Sequence, residues 1–347
     1  MTESLTTSAR APDARSGSPL LEVTDLRISI PTEAGLIEAV RGVSFSMQAR
    51  DTLGVVGESG SGKTVLSRAL LGLTPRGAVA ARSGEVRYLG RDLSGLPEGE
   101  LRRVRGAEIA MVFQDPLTAL NPVMTVGTQI SESLRHHLGM SRAAARRRAV
   151  ELLDRVGIPS AARRIRDYPH QLSGGMRQRV VIAIALSCAP KLLIADEPTT
   201  ALDVTVQAQI LDLLQDLQHE QPMAIILISH DLDVVGGRAD RVAVMYAGRI
   251  VEEAPTENLF TGARMPYTEA LLHCVPRLDA PSHTRLAAIA GRPPSLIGAG
   301  PGCRFAPRCT HVGDRCVEEE AALVADADDP THLFRCWHPV GLARRAD

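Results

Sequence analysis

Eight consecutive residues carry the clearest chemistry in the chain: Gly57, Glu58, Ser59, Gly60, Ser61, Gly62, Lys63 and Thr64. They satisfy G-x-x-x-x-G-K-[ST] at every fixed position, with an apolar strand pattern at 52–56 before them and helical spacing at 65–73 after. The three glycines permit positive φ and close backbone approach, so successive N–H groups can turn inward onto phosphate oxygens. Lys63 brings a point charge to the β- and γ-phosphates, and the Thr64 hydroxyl is suited to ligate Mg²⁺. Of 39 basic residues only Lys63 and Lys191 are lysine, so the chain keeps a compact ammonium where phosphate chemistry needs one.

Further along, Ser173, Gly174 and Gly175 stand at a helix start, where uncovered N–H groups and the helix dipole make a second phosphate-facing loop. Asp196 ends a fully apolar strand at 192–195 and can hold Mg²⁺; Glu197, next in line, can orient or deprotonate an attacking water. Gln114 ends the strand at 108–113, and His230 follows the strand at 224–229. Each of these two alone is as well explained by a structural strand end as by a ligand contact.

The elements that must position these groups read as α/β. Strands at 20–30 and 39–47 make an antiparallel platform, with another strand at 84–90 and a helix-like stretch at 97–105. Residues 116–172 form an inserted helical subdomain, with Ile130, Leu134 and Leu138 on one face and Val150, Leu153 and Val156 on another. Its arginines, at 142, 146, 147, 148, 155, 163, 164 and 166, read as a solvated face, with docking of an acidic partner the alternative. The 347 residues suffice for about two domains, and a net charge of −1 argues against broad nucleic-acid binding. No apolar run approaches the ~20 residues of a membrane span; the first 19 residues, small and polar, read as a disordered tail rather than a signal peptide. Six cysteines are expected as free thiols or metal ligands, Cys188 and Cys274 in the core. The other four, Cys303, Cys309, Cys316 and Cys336, are separated by five, six and nineteen residues, which matches neither zinc-finger nor bacterial ferredoxin spacing. All-thiolate ligation suits zinc or an iron–sulfur cluster. The tail holds no nucleotide motif, so it is expected to be separable from the phosphate loop.

Taken together, residues 57–64, Gln114, the Leu-Ser-Gly-Gly-Met run at 172–176, Asp196, Glu197, Ala201, Leu202, Asp203 and His230 resemble an ATP-binding cassette (ABC) domain over about 20–260. The resemblance implies a P-loop α/β ATPase core with a mostly parallel sheet, an antiparallel β subdomain and the helical insert. It also implies head-to-tail pairing of two cassettes, with ATP between the phosphate loop of one and residues 173–175 of the other. Gln114 would sense Mg²⁺ and water, Glu197 would be the general base, Asp203 the interface residue and His230 the switch histidine. The finer resemblance is to ATP-binding subunits of bacterial dipeptide and oligopeptide importers, through GESGSGKT, VFQDPLTALNP, YPHQLSGGMRQR and DEPTTALDVTVQ, and through MPYTEALL, GRPPSL and PGCRFAPRC in a Cys-rich C-terminal extension at 261–347. It implies peptide import energised by Mg·ATP at the cytoplasmic face of the membrane, with two permease subunits, a second ATPase subunit, an extracytoplasmic solute-binding protein and a [4Fe–4S] cluster on the four cysteines. Alternatives are a soluble cassette ATPase of DNA repair or translation, and import of another solute such as a nickel chelate. The chain departs from the family at Met265, where a histidine is usual, at Arg50 and Asp51, where Gly-Glu is usual, and at Ile30, where an aromatic residue normally stacks on adenine.

Overall fold

The computed structural model describes residues 18–74, 79–199, 202–275, 288–298 and 300–341. Most of the expected N-terminal tail, and Ala201, lie outside the described residues. Two sheets organise the rest. β1 (Leu21–Thr32), β2 (Gly35–Met47), β4 (Ala81–Tyr88) and β5 (Arg91–Asp92) make an antiparallel sheet in the order β2-β1-β4-β5. Alternation in β1 turns Leu21, Val23, Leu26 and Ile28 into one core, and the register slips where Asp25 takes a left-handed backbone.

The second sheet runs β11 (Val324–Ala325), β12 (Leu333–Phe334), β10 (Arg249–Pro255), β9 (Arg241–Tyr246), β3 (Thr52–Val56), β8 (Ala224–Ser229), β7 (Leu192–Asp196), β6 (Ile109–Val112). Its parallel centre is β6 (Ile109–Val112), β7 (Leu192–Asp196), β8 (Ala224–Ser229), β3 (Thr52–Val56) and β9 (Arg241–Tyr246). Every residue of β3, β7 and β8 is buried, as strands covered on both faces require. Helices therefore leave the carboxyl ends of these strands on one side, where an α/β sheet presents its ligand groups.

β10 (Arg249–Pro255) adds antiparallel to β9, and β12 (Leu333–Phe334) then pairs with Glu252 and Glu253 of β10, followed by β11 (Val324–Ala325). The extension therefore continues the core sheet. Buried polar groups lock it there: the Glu252 carboxylate takes the Arg264 and Met265 amides and the His332 ring, and Arg264 pairs with Asp326.

The helical insert holds Val126–Leu138 and Arg142–Arg155, joined through a left-handed Gly139 and the Ser141 cap, whose hydroxyl accepts from the Ala144 amide. Ile130 and Leu134 are fully buried, but Leu138 is 52% exposed, because the helix ends there and its last turn overhangs the core. Cys188 is buried as expected, while Cys274 at the end of helix Pro266–Cys274 is only half-buried.

Candidate nucleotide site

The phosphate loop joins β3 to the helix Lys63–Leu70. Gly57 and Gly62 take φ of 155° and 103°, and a Cβ would meet the Met245 carbonyl oxygen at 2.1 Å or that of Ala39 at 2.2 Å. Neither position admits a side chain, so the spelling is steric as well as conformational. Lys63 is 4% exposed, and its Nζ donates to the Gly57 and Glu58 carbonyls at 2.7 and 3.1 Å. Burial pushes its pKa down against the pull of Glu197, Asp196 and Glu58.

Three strand ends meet the loop. Asp196, buried at the end of β7, accepts from the Thr64 hydroxyl at 3.3 Å and the Ser67 hydroxyl at 3.2 Å. Burial raises its pKa, and those two hydroxyls and Arg68 pull the other way. Glu197 lies in the left-handed region at φ 47°, its amide donating to the Ile228 carbonyl of β8. Its carboxylate accepts from Gln114 Nε2 at 2.9 Å and lies 3.4 Å from His230 Nδ1 and 3.9 Å from Lys63 Nζ. Residues from 63 to 230 in the sequence thus converge on one carboxylate. The left-handed turn swings it back over β8 toward the loop, whereas Asp196 continues the strand into the buried space beneath.

Ser173, Gly174, Gly175 and Asp203 form a separate group. The Ser173 hydroxyl caps helix Gly174–Leu186 by accepting from the Met176 amide, and Asp203 caps helix Val204–Glu220 by accepting from the Val206 amide. A Cβ on Gly175 would come within 2.7 Å of Val206, so the two helix starts touch. Among the described residues no hydrogen bond or ion pair links this group to residues 57–64.

The four extension cysteines line one small cavity with Phe305 and Trp337. Burial pushes the thiols of Cys303, Cys309 and Cys336 up, Cys336 to about 12, with its three neighbouring cysteines adding to the shift. Among the described residues no group of three or more His, Cys, Asp or Glu could hold a metal ion. Nothing in this arrangement bears out the expected [4Fe–4S] cluster on Cys303, Cys309, Cys316 and Cys336.

The sequence reading assigned no role to Tyr267 or Arg308. Tyr267 Oη accepts from the Glu58 amide at 2.9 Å, and Arg308 pairs with the Glu58 carboxylate. Both residues lie inside runs already notable in the sequence, MPYTEALL and PGCRFAPRC, but nothing local to those runs points back to the phosphate loop. The extension thus contacts the phosphate loop at Glu58.

The ABC transporter family matches residues 40–200, and the C-terminal region of oligopeptide/dipeptide transporters matches 251–316. The oligopeptide transport ATP-binding protein OppD of Bacillus subtilis is 51% identical over 322 residues, covering 92% of this chain and 89% of that protein. The chain belongs to the ATP-binding subunits of the ABC oligopeptide/dipeptide transporter family. The dipeptide transport ATP-binding protein DppD of the same organism is 47% identical over 318 residues, covering 92% of this chain and 94% of its own length. The ATP-binding cassette MJ0796, solved as a dimer in a post-hydrolysis state with ADP and Pi, superposes with a TM-score of 0.61 at 27% identity, covering 68% of this chain and 98% of that one. Membership makes the chain an ATPase that works on Mg·ATP.

Proposed function

We propose that the chain hydrolyses ATP to energise import of dipeptides or oligopeptides through separate permease subunits. The observation that carries this reading is that identity to OppD and DppD runs through 92% of the chain, extension included. A soluble ATPase of DNA repair or translation, or a nickel-chelate importer, draws no support from these relatives.

In this reading Gly57, Ser59, Gly60, Ser61 and Gly62 cradle the phosphates through the backbone, and Lys63 meets the β- and γ-oxygens. Thr64 and Asp196 supply hard oxygen donors 3.3 Å apart, with Gln114 across the site, which fits Mg²⁺. Bound there, Mg²⁺ offsets the phosphate charge. Glu197 takes the proton of the water that attacks the γ-phosphorus as the bond to the ADP oxygen breaks; Gln114 orients that water and His230 bonds the γ-phosphate. The left-handed Glu197 backbone is strain on the order of 1–3 kcal/mol, retained where it aims the carboxylate. Ser173, Gly174, Gly175 and Asp203 serve the phosphate loop of a second cassette, identical or related. The lack of any hydrogen bond or ion pair from this group to residues 57–64 among the described residues, and the dimeric form of the solved relative, support this arrangement.

The remaining partners follow: two permeases and an extracytoplasmic solute-binding protein, with the chain peripheral on the cytoplasmic face of the membrane. Among the described residues no helix is long and apolar enough to cross a membrane. Residues 116–122 and the helical insert offer the docking surface; within the insert a groove of about 940 Å³ is lined by Arg135, Arg142, Arg146 and Arg166 against the single carboxylate of Glu132, a basic lining that suits an acidic permease segment. Cys303, Cys309, Cys316 and Cys336 would hold a [4Fe–4S] cluster: four thiols on one cavity are the right donor set in number and kind. The cluster would order the extension.

Co-purification from native membranes with mass identification tests the main proposal. Two integral membrane partners and hydrolysis stimulated by a peptide-loaded binding protein are expected. Recovery without membrane partners, or stimulation by a metal chelate in place of peptide, refutes it.

A further inference from the structure

Arg308 presents both terminal nitrogens to both oxygens of Glu58, at 2.6 and 2.9 Å, which is the bidentate fork that makes guanidinium–carboxylate pairs strong and directional. The Arg308 side chain is 4% exposed. Its remaining donors are used as well: Nε reaches the Ala290 carbonyl at 2.9 Å, and the terminal nitrogens also reach the Ile289 carbonyl and Tyr246 Oη, each at 3.3 Å. The same loop residue is held a second time through its backbone, since the Glu58 amide donates to Tyr267 Oη. Tyr267 is fully buried, and its ring meets those of Tyr246 and Phe305 at centroid distances of 4.4 and 5.3 Å.

Two consequences follow for a polyphosphate. The Glu58 N–H faces the extension, so Tyr267 fixes the peptide plane from which the rest of the cradle turns. An unpaired carboxylate at the second loop position would repel the phosphates, and Arg308 offsets that charge. Arg308 also closes the short turn Ala306–Arg308, which lies between Cys303 and Cys309, and Phe305 and Ala306 line the thiol cavity. A shift of the cysteine loop therefore moves the guanidinium that grips the phosphate loop.

We propose that Arg308 and Tyr267 are positioning residues of the nucleotide site, supplied by the extension, and that the four-cysteine cavity sets nucleotide affinity by fixing the Arg308 turn. The proposal rests on residues 57–64 being the nucleotide loop. The test is equilibrium binding of a fluorescent ATP analogue with Mg²⁺ to the full chain, reading both Kd and sites per chain. Arg308→Ala is expected to raise Kd about tenfold with sites per chain unchanged, within the usual range of coupling between sites. Arg308→Lys recovers only part, because an ammonium keeps the charge and loses the fork. Cys309→Ser raises Kd as well, and the Arg308→Ala/Cys309→Ser double variant is no weaker than Arg308→Ala alone, since both act through one contact. A wild-type Kd in Arg308→Ala, or fewer sites at unchanged Kd, overturns the positioning role. A wild-type Kd in Arg308→Lys overturns the fork, and strict additivity of the double variant overturns the link to the thiols. Wild-type chain that binds no ATP counts instead against the nucleotide loop itself.

Discussion

Glu197→Gln separates binding from chemistry. The substitution keeps the shape of the side chain and an oxygen able to accept from Gln114, now at 2.9 Å, but removes the base. A positioned general base contributes about 10²- to 10⁴-fold, or roughly 3–5 kcal/mol of barrier, so turnover should fall by that factor. Binding should move the other way. Glu197 lies 3.9 Å from Lys63 Nζ, and at an effective dielectric near 20 the attraction is about 4 kcal/mol before screening. Removing it frees Lys63 for the phosphates and takes one negative charge from beside them. The expected outcome is ATP affinity equal to or tighter than wild type, with an ATP-bound cassette dimer accumulating. Single-turnover hydrolysis and equilibrium binding on the same preparation, with the chain's partners present, measure both halves. Near-normal hydrolysis refutes the base assignment, and loss of binding alongside hydrolysis refutes the electrostatic argument.

Three other outcomes are expected. Asp326 is held below the usual carboxylate range, first by the Asp328 amide and then by Arg264, so its contribution is present above about pH 3.8 and is lost as pH falls through its lowered value. Asp326→Asn should therefore cost roughly 3 kcal/mol near neutrality by stranding Arg264, with thermal unfolding midpoints of variant and wild type converging only at strongly acidic pH. Anaerobically purified chain should be brown with about four irons, and stoichiometric zinc without iron would reject the cluster. Ile30→Tyr should tighten ATP by at most ~1–3 kcal/mol if that half-buried position in β1 lies under the adenine, and an unchanged ATP-to-GTP ratio would remove it from that role.

What could be read from the sequence depended on whether the chemistry is contiguous. A phosphate cradle needs consecutive backbone donors, so residues 57–64 spell it in one run, and the all-apolar strands at 192–195 and 224–229 follow from burial on both faces. The convergence of Gln114, Glu197 and His230 needed the family resemblance, because each residue alone sits at an ordinary strand end. Arg308 and Glu58 are 250 positions apart, and no local period or cap relates them. The two-residue strand β12 is likewise too short for any alternation pattern, yet it joins the extension to the core sheet.

Charge was the least legible property, because a sum hides its distribution. The net −1 of the chain coexists with four arginines behind the phosphate loop: Arg41 and Arg249 both pair with Glu320, Arg41 and Arg304 both reach Glu38, and Arg335 lies close to this group. Arg335 also lines the thiol cavity, and its pKa is pushed down to about 10 by burial and then by Arg249. Among the described residues, one buried guanidinium nitrogen each of Arg41, Arg249 and Arg304 has no hydrogen-bond partner. Within this group two carboxylates face four guanidinium groups, a local positive surplus that the net charge of the chain conceals.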